Sequence, residues 1–176
     1  STQLELLIFQ RARIIKNAKA KIVLAGNIIE QYYKEGDRWL LYCEDQGQLR
    51  SVVEEVRSRG FNCDEYHSYM DGDREATIDK FSQLGGILVA IKCLDEGVNI
   101  PAITHACILA SSKNPREFIQ RRGRVLRTSP GKYLANIYDA IVTPDKSNME
   151  SDSTREYNIV RTEIARSFKF AGDSIN

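Results

Sequence analysis

The 176-residue sequence has few cysteines, no marked charge excess, no long apolar run and no phosphate-cradling glycine loop. Each absence excludes something. The four cysteines, Cys43, Cys63, Cys93 and Cys107, include no Cys-x-x-Cys pair, and each sits in or beside an apolar run. That pattern argues against a zinc site or a disulfide framework and for buried, reduced thiols in a cytosolic or nuclear compartment. No stretch approaches the ~20 apolar residues that span a bilayer, so no membrane partner is expected. No signal-peptide pattern opens the chain. Lysine plus arginine (25) exceeds aspartate plus glutamate (24) by one, so global charge points to no class of partner. The nearest Gly-Lys pair, Gly131-Lys132, is followed by tyrosine and lacks the upstream glycine of a G-x-x-x-x-G-K-[ST] loop. A free-standing nucleotide-binding regulator is therefore disfavoured. The first residue is Ser1 rather than methionine, and a piece of a longer protein is expected. No internal repeat is visible.

What is present alternates between two periodicities. Leu7, Ile14, Ile15, Ala18, Ile22, Ala25, Ile29 and Tyr32 recur at helical spacing, predicting a long helix over 4–33 that could break near Gly26 and is stopped by Gly36. Short apolar runs then predict strands at 38–43, 61–67, 86–91, 105–110 and 133–142. The run at 86–91 is the most apolar and is expected to be central. Between the strands, 47–59 predicts a helix with Leu49, Val52, Val53 and Val56 inward. The segment 73–84 predicts another, capped by Asp73, with Ala76 and Phe81 inward. Further helices are expected over 114–127 and 155–170, with a linker at 145–154. This order implies an α/β fold with a mostly parallel sheet flanked by helices, whose ligands sit at the carboxyl ends of the strands. The expected organisation is a leading helix over 1–36, an α/β domain over 37–144, and a linker with a helical tail over 145–176.

Local charge is more informative than the total. From Lys113 to Lys132 there are seven basic residues and one acid, Glu117. A solvated helix face is the plain explanation of such a run. However, Asn114, Pro115 and Glu117 make a well-formed helix start. Counting from that start, Gln120, Arg124 and Arg127 share one stripe, while Phe118, Ile119, Val125 and Leu126 lie opposite and can anchor the helix. Gly123 lies between, where backbone can approach closely. Such a stripe suits a planar, bidentate grip on phosphate oxygens. Arg121 flanks it, and Arg122 projects from the apolar side.

On these residues the sequence resembles a family. "QRRGRVLR" (120–127) resembles motif VI of superfamily 2 helicases and translocases, QxxGRxxR, and "ILVAIKCLDEGVNIP" (87–101) resembles their motif V. "LLYC" (40–43) resembles motif IV, and "YHSYMDGDREATIDKF" (66–81) the segment after it, including Arg74 and Phe81. The resemblance is closest to the XPB-like and restriction-type branch. It implies the C-terminal RecA-like domain of a motor whose partner is an N-terminal RecA-like lobe carrying the P-loop and the magnesium-binding acids. ATP and Mg2+ would be held mainly by that lobe, so this chain alone is expected to be inactive and to need no metal site of its own.

The family roles carry over residue by residue. Arg124 and Arg127 match arginine-finger positions, with Gln120 positioning the phosphate or the attacking water. Glu96, Gly97, Asn99 and Gly123 would line the nucleotide, although Asn99 stands where many relatives have aspartate. A tight turn with an Asx bond is the structural alternative for Gly97 and Asn99. Cys43, His67, Ser68, Lys92 and Lys113 fall on the nucleic-acid path, with DNA expected over RNA. Two departures bear on that path. Ile91 stands where many relatives have threonine, and Glu44 and Asp45 would repel a phosphate backbone. The implied function is the second motor lobe of an ATP-dependent helicase or translocase in the cytoplasm, at the nucleoid, or in a eukaryotic nucleus. The alternative is a RecA-like binding module that has lost turnover.

Overall fold

The computed structural model describes residues 19–91, 103–110 and 135–142, and helical residues at 161–162, 164–165 and 167–169. In chain order the elements are α1 (Lys19–Tyr32), β1 (Arg38–Tyr42), α2 (Gln46–Ser58), β2 (Cys63–Tyr66), α3 (Arg74–Leu84), β3 (Gly86–Ala90), β4 (His105–Ile108) and β5 (Asn136–Asp139). The five strands form one sheet in the order β2-β3-β1-β4-β5, and every pairing is parallel. The expected α/β class holds. β3 is an interior strand as its apolar run implied, but β1 occupies the middle.

Parallel strands buried on both faces read as continuous apolar runs, because period-two alternation is masked when each side needs a hydrophobic residue. Along β1, Trp39, Leu41 and Cys43 join one core with Ala25, Ile29, Leu49, Val52, Val53 and Val56. Leu40 and Tyr42 join the other with Ile78 and Phe81. So α1 and α2 cover one face and α3 the other. Crossover handedness accounts for this. The β1-α2-β2 connection moves two strands one way and β2-α3-β3 moves one strand back, so right-handed crossovers place the two helices on opposite faces.

Local signals explain most element ends. Asp73 caps α3 as expected, its Oδ1 accepting from the N–H groups of Glu75 (2.8 Å) and Ala76 (3.3 Å). Ala76 itself is exposed and Ile78 takes the inward place, because Ile78 and Phe81 are three apart while Ala76 lies about 200° from Ile78. α1 ends at Tyr32, ahead of Gly36, which instead turns the chain with φ +87°. Gly26 breaks nothing. It lets α1 approach α2, since a Cβ there would meet Arg59 Nε at 2.5 Å and Glu55 Oε1 at 2.8 Å. Arg59 pairs with Glu55 (2.7 Å) on its own helix and Glu30 (2.5 Å) on α1, clamping the two. Gly85, at φ +74°, sits where a Cβ would strike the Asp37 carbonyl at 2.7 Å. The first half of the expected leading helix, residues 4–18, and the helix over 114–127 lie outside the described residues.

At the amino end of the sheet an aromatic stack crosses the first face. Trp39 lies on His105 at 4.2 Å and 3°, and Tyr138 on Trp39 at 5.6 Å, with Tyr32 of α1 outermost on Tyr138. Burial lowers the His105 pKa below its usual 6.5; the Asp37 carboxylate opposes that shift and Lys34 adds to it. The unfolded chain therefore takes up this proton first as pH falls. Stability from His105 is complete above the unfolded value of 6.5 and is lost as pH drops towards the folded one. Urea midpoints are expected to fall between pH 7.5 and 5.5, and His105→Gln to flatten that dependence. A pH-independent midpoint for the wild type would contradict it.

Candidate functional site

In a doubly wound parallel sheet, loops at the carboxyl ends of the strands build the site, above all where adjacent strands send their connections in opposite directions. Here β1 connects onward towards the β2 edge while β4 connects to β5 on its other side. The switch point thus lies between β1 and β4. There the Tyr42 carbonyl accepts from both Leu109 N–H (2.9 Å) and Ala110 N–H (3.1 Å). Lys21 of α1, only 2% exposed, reaches across to donate from Nζ to the Leu109 carbonyl at 2.8 Å.

In the loop after β1, Asp45 is not presented as the sequence implied. Asp45 caps α2, its Oδ1 accepting from Gln48 N–H at 2.9 Å. The Gln48 side chain in turn accepts from Glu44 N–H at 2.7 Å. A carboxylate occupied by a helix N-terminus is partly neutralised by it, so the expected repulsion of a phosphate backbone is weakened at Asp45.

Cys43 must be corrected as a nucleic-acid contact. Its side chain is 0% exposed, because parity along β1 turns it into the α1/α2 core. Burial, then Cys107 and Asp45, push its thiol pKa well up, and burial pushes Cys107 to about 12. Both stay protonated at neutral pH and are unreactive, as are buried thiols in general. Cys63 is buried too and its thiol is also raised.

The loop after β2 is turned outward. His67 is largely buried and its Nδ1 accepts from Tyr69 N–H at 3.2 Å. That bond places the ring proton of the neutral form on Nε2, 3.7 Å from Glu65 Oε2. His67 therefore shapes the loop, and its carbonyl closes the turn by accepting from Met70 N–H at 3.3 Å. Ser68 is exposed beside it. Tyr69 is 80% exposed at the tip, a residue that sequence reasoning passed over. It borders a cleft of about 430 Å³ along β2 whose lining includes Arg50, Arg57, Glu65, His67 and Thr77. The available signal was an aromatic residue in a polar loop at a strand's carboxyl end.

Ile91 packs on the α1/α2 core beyond β3, so its side chain points inward rather than over the loops. Lys92, Glu96, Gly97, Asn99, Lys113, Gln120, Gly123, Arg124 and Arg127 lie outside the described residues. So does Cys93. Among the described residues, no group of histidine, cysteine and acidic side chains could hold a metal ion.

The pattern of the helicase conserved C-terminal domain matches residues 18–129, more than half of the chain. The chain belongs to this family. Two solved structures share its fold. The crystal structure of T4 UvsW aligns over 98% of this chain and 35% of that one, with TM-score 0.62 and 17% identity. The C-terminal domain of the DEAD-box protein Dbp5 aligns over 85% of this chain and 79% of that one, with TM-score 0.57 and 15% identity. In sequence, a putative ATP-dependent RNA helicase of Methanocaldococcus jannaschii is 22% identical over 146 residues, 78% of this chain and 18% of that protein. UvrABC system protein B of Lactococcus lactis subsp. cremoris is 33% identical over 97 residues, 49% of this chain and 14% of that protein. The chain thus spans less than a fifth of the length of these curated relatives.

Proposed function

We propose that this helicase C-terminal domain is the second motor lobe of an ATP-dependent helicase or translocase, and that it acts on DNA. The observation that carries the reading is the family match over residues 18–129, which spans both the Gly97 loop and the arginine stripe of Gln120, Arg124 and Arg127. In this reading the two arginines meet the transferring phosphoryl group and Gln120 positions the phosphate or the attacking water. Glu96, Gly97, Asn99 and Gly123 line the nucleotide. ATP and Mg2+ are held mainly by an N-terminal lobe, which supplies the phosphate loop this chain lacks.

The nucleic-acid path would cross the carboxyl ends of the strands, gripped chiefly through phosphates. Lys92, Lys113, Ser68 and the backbone around His67 are its proposed contacts. Arg50 adds a cation, and Tyr69 a flat apolar surface on which a base can stack. With a formal net charge of only +1, such a grip is local. Localisation in the cytoplasm at the nucleoid, or in a nucleus, is part of the same proposal.

The test is an ATPase assay of the full-length protein with single-stranded DNA, duplex DNA and RNA. Stimulation by DNA, with no hydrolysis by residues 1–176 alone, is expected. A full-length protein that binds nucleic acid but never hydrolyses ATP would support instead the RecA-like binding module.

A further inference from the structure

The cleft along β2 takes its walls from both helical layers. Arg50 and Arg57 come from α2 and Thr77 from α3, with Glu65 of β2 and Tyr69 of the following loop between them. β2 is an edge strand, and α2 and α3 cover opposite faces of the sheet, so the cleft opens across that edge. Its volume of about 430 Å³ lies within the range of small-ligand sites. An added peptide strand is one common guest of an open edge. Here Arg57 Nη2 already donates to the Cys63 carbonyl at 3.2 Å, and Lys80 Nζ holds the two Asp64 oxygens at 2.9 and 2.8 Å. Charges placed along an edge in this way oppose strand addition.

The cleft offers a different set of groups. Tyr69 is exposed at its lip, and two hydrogen bonds to His67 fix the backbone that carries the ring before anything binds. Glu65 Oε1 lies 3.6 Å from Arg57 Nη2, and Oε2 lies 3.7 Å from His67 Nε2. Neither distance is a hydrogen bond. Both oxygens therefore keep acceptor capacity, and Arg57 has guanidinium N–H donors besides the one on Cys63. Two acceptors beside a donor match the Watson–Crick edge of guanine, which offers N1–H and N2–H to a carboxylate and O6 to a guanidinium. Thymine instead flanks its one N–H with two carbonyl oxygens, which a carboxylate repels. A phosphate is disfavoured beside Glu65 and Asp71 but suits Arg50, which has no carboxylate partner among the described residues.

We propose that this cleft holds one unstacked guanine of a single DNA strand, with its face on Tyr69, its Watson–Crick edge on Glu65 and Arg57, and its phosphate towards Arg50. This rests on the nucleic-acid reading above and adds a base preference to it, which phosphate contacts cannot supply.

The experiment titrates the full-length protein, without ATP, with fluorescein-labelled single-stranded oligothymidylate. The strand is uniform, or carries one central guanine, or carries hypoxanthine at that place, which lacks only the N2 amino group of guanine. Guanine is expected to tighten binding about fivefold or more over thymine, and hypoxanthine to lose most of that gain. Glu65→Gln is expected to bring the guanine-to-thymine ratio close to one. Tyr69→Ala is expected to weaken binding of the guanine strand about tenfold. The hypoxanthine strand needs no variant, so the proposal stays decidable if a variant fails to fold. Equal affinity for the three strands overturns the proposal and leaves the nucleic-acid reading standing. Free GMP bound as tightly as the guanine strand overturns the assignment to a strand. A protein that binds no single strand refutes that reading itself, and the proposal with it.

Discussion

Arg124→Ala in the full-length protein is expected to lower nucleic-acid-stimulated ATP hydrolysis by about 10³-fold or more, with the fold retained. Phosphoryl transfer requires little covalent chemistry from the protein, so positioned charge provides most of the acceleration. A guanidinium presents a rigid fork of donors to the equatorial oxygens, and lysine offers a point charge with no such geometry. Arg124→Lys is therefore expected to recover little. The stripe shared by Gln120, Arg124 and Arg127 faces away from Phe118, Ile119, Val125 and Leu126 in the sequence pattern, so truncation at Arg124 leaves the anchoring residues untouched. Steady-state kinetics and far-UV circular dichroism on the same preparation decide it. Full stimulated activity in the variant would show that Arg124 is not a finger.

Trp39→Ala is expected to destabilise the domain by about 3–5 kcal/mol. Trp39 is fully buried in the central strand and carries the stack on His105 and Tyr138. Its Nε1–H donates to Asp37 Oδ2 at 3.4 Å. Truncation would open a cavity between β1 and α1 and would leave the His105 ring without its partner. For a domain whose whole stability is of the order of 5–15 kcal/mol, that is enough to populate the unfolded state. Trp39→Phe keeps most of the buried area and is expected to cost less than half as much. Urea unfolding followed by circular dichroism measures both, since Trp39 is the only tryptophan and its fluorescence vanishes with it. Equal midpoints for wild type and Trp39→Ala would contradict the assigned packing.

Much of the fold was legible before any coordinates. The three interior strands are buried along most of their length and announce themselves as apolar runs; the edge strands β2 and β5 are only partly buried, yet they too lie near the places the sequence indicates. Leu49, Val52, Val53 and Val56 were readable as one helical face, and each is buried. Asp73 was readable as a cap because a short carboxylate ahead of a helix has few other uses. The family resemblance rested on contiguous motifs, and family membership holds over residues 18–129.

Other residues could not be read from local pattern. Cys43 looked like a loop residue on the nucleic-acid path, yet strand parity carries it into the core. Asp45 looked like a repulsive charge, yet it caps α2. Lys21 was hidden by its own polarity, although its spacing to Ala25 and Ile29 placed it on the buried stripe. Ile22, which carried the apolar pattern, is only partly buried. Tyr69 had no periodicity to mark it.

The sequence by itself determined the α/β class, the positions of the strands, the motifs at 87–101 and 120–127, and the lack of a phosphate loop. These depend on composition and spacing within short windows, where local sterics and hydrophobic periodicity act. Only the tertiary structure decided that β1 is central, that the switch point falls between β1 and β4, and that Lys21 reaches the Leu109 carbonyl there. Those depend on which strands lie side by side, and residues 88 positions apart meet only once the sheet has formed.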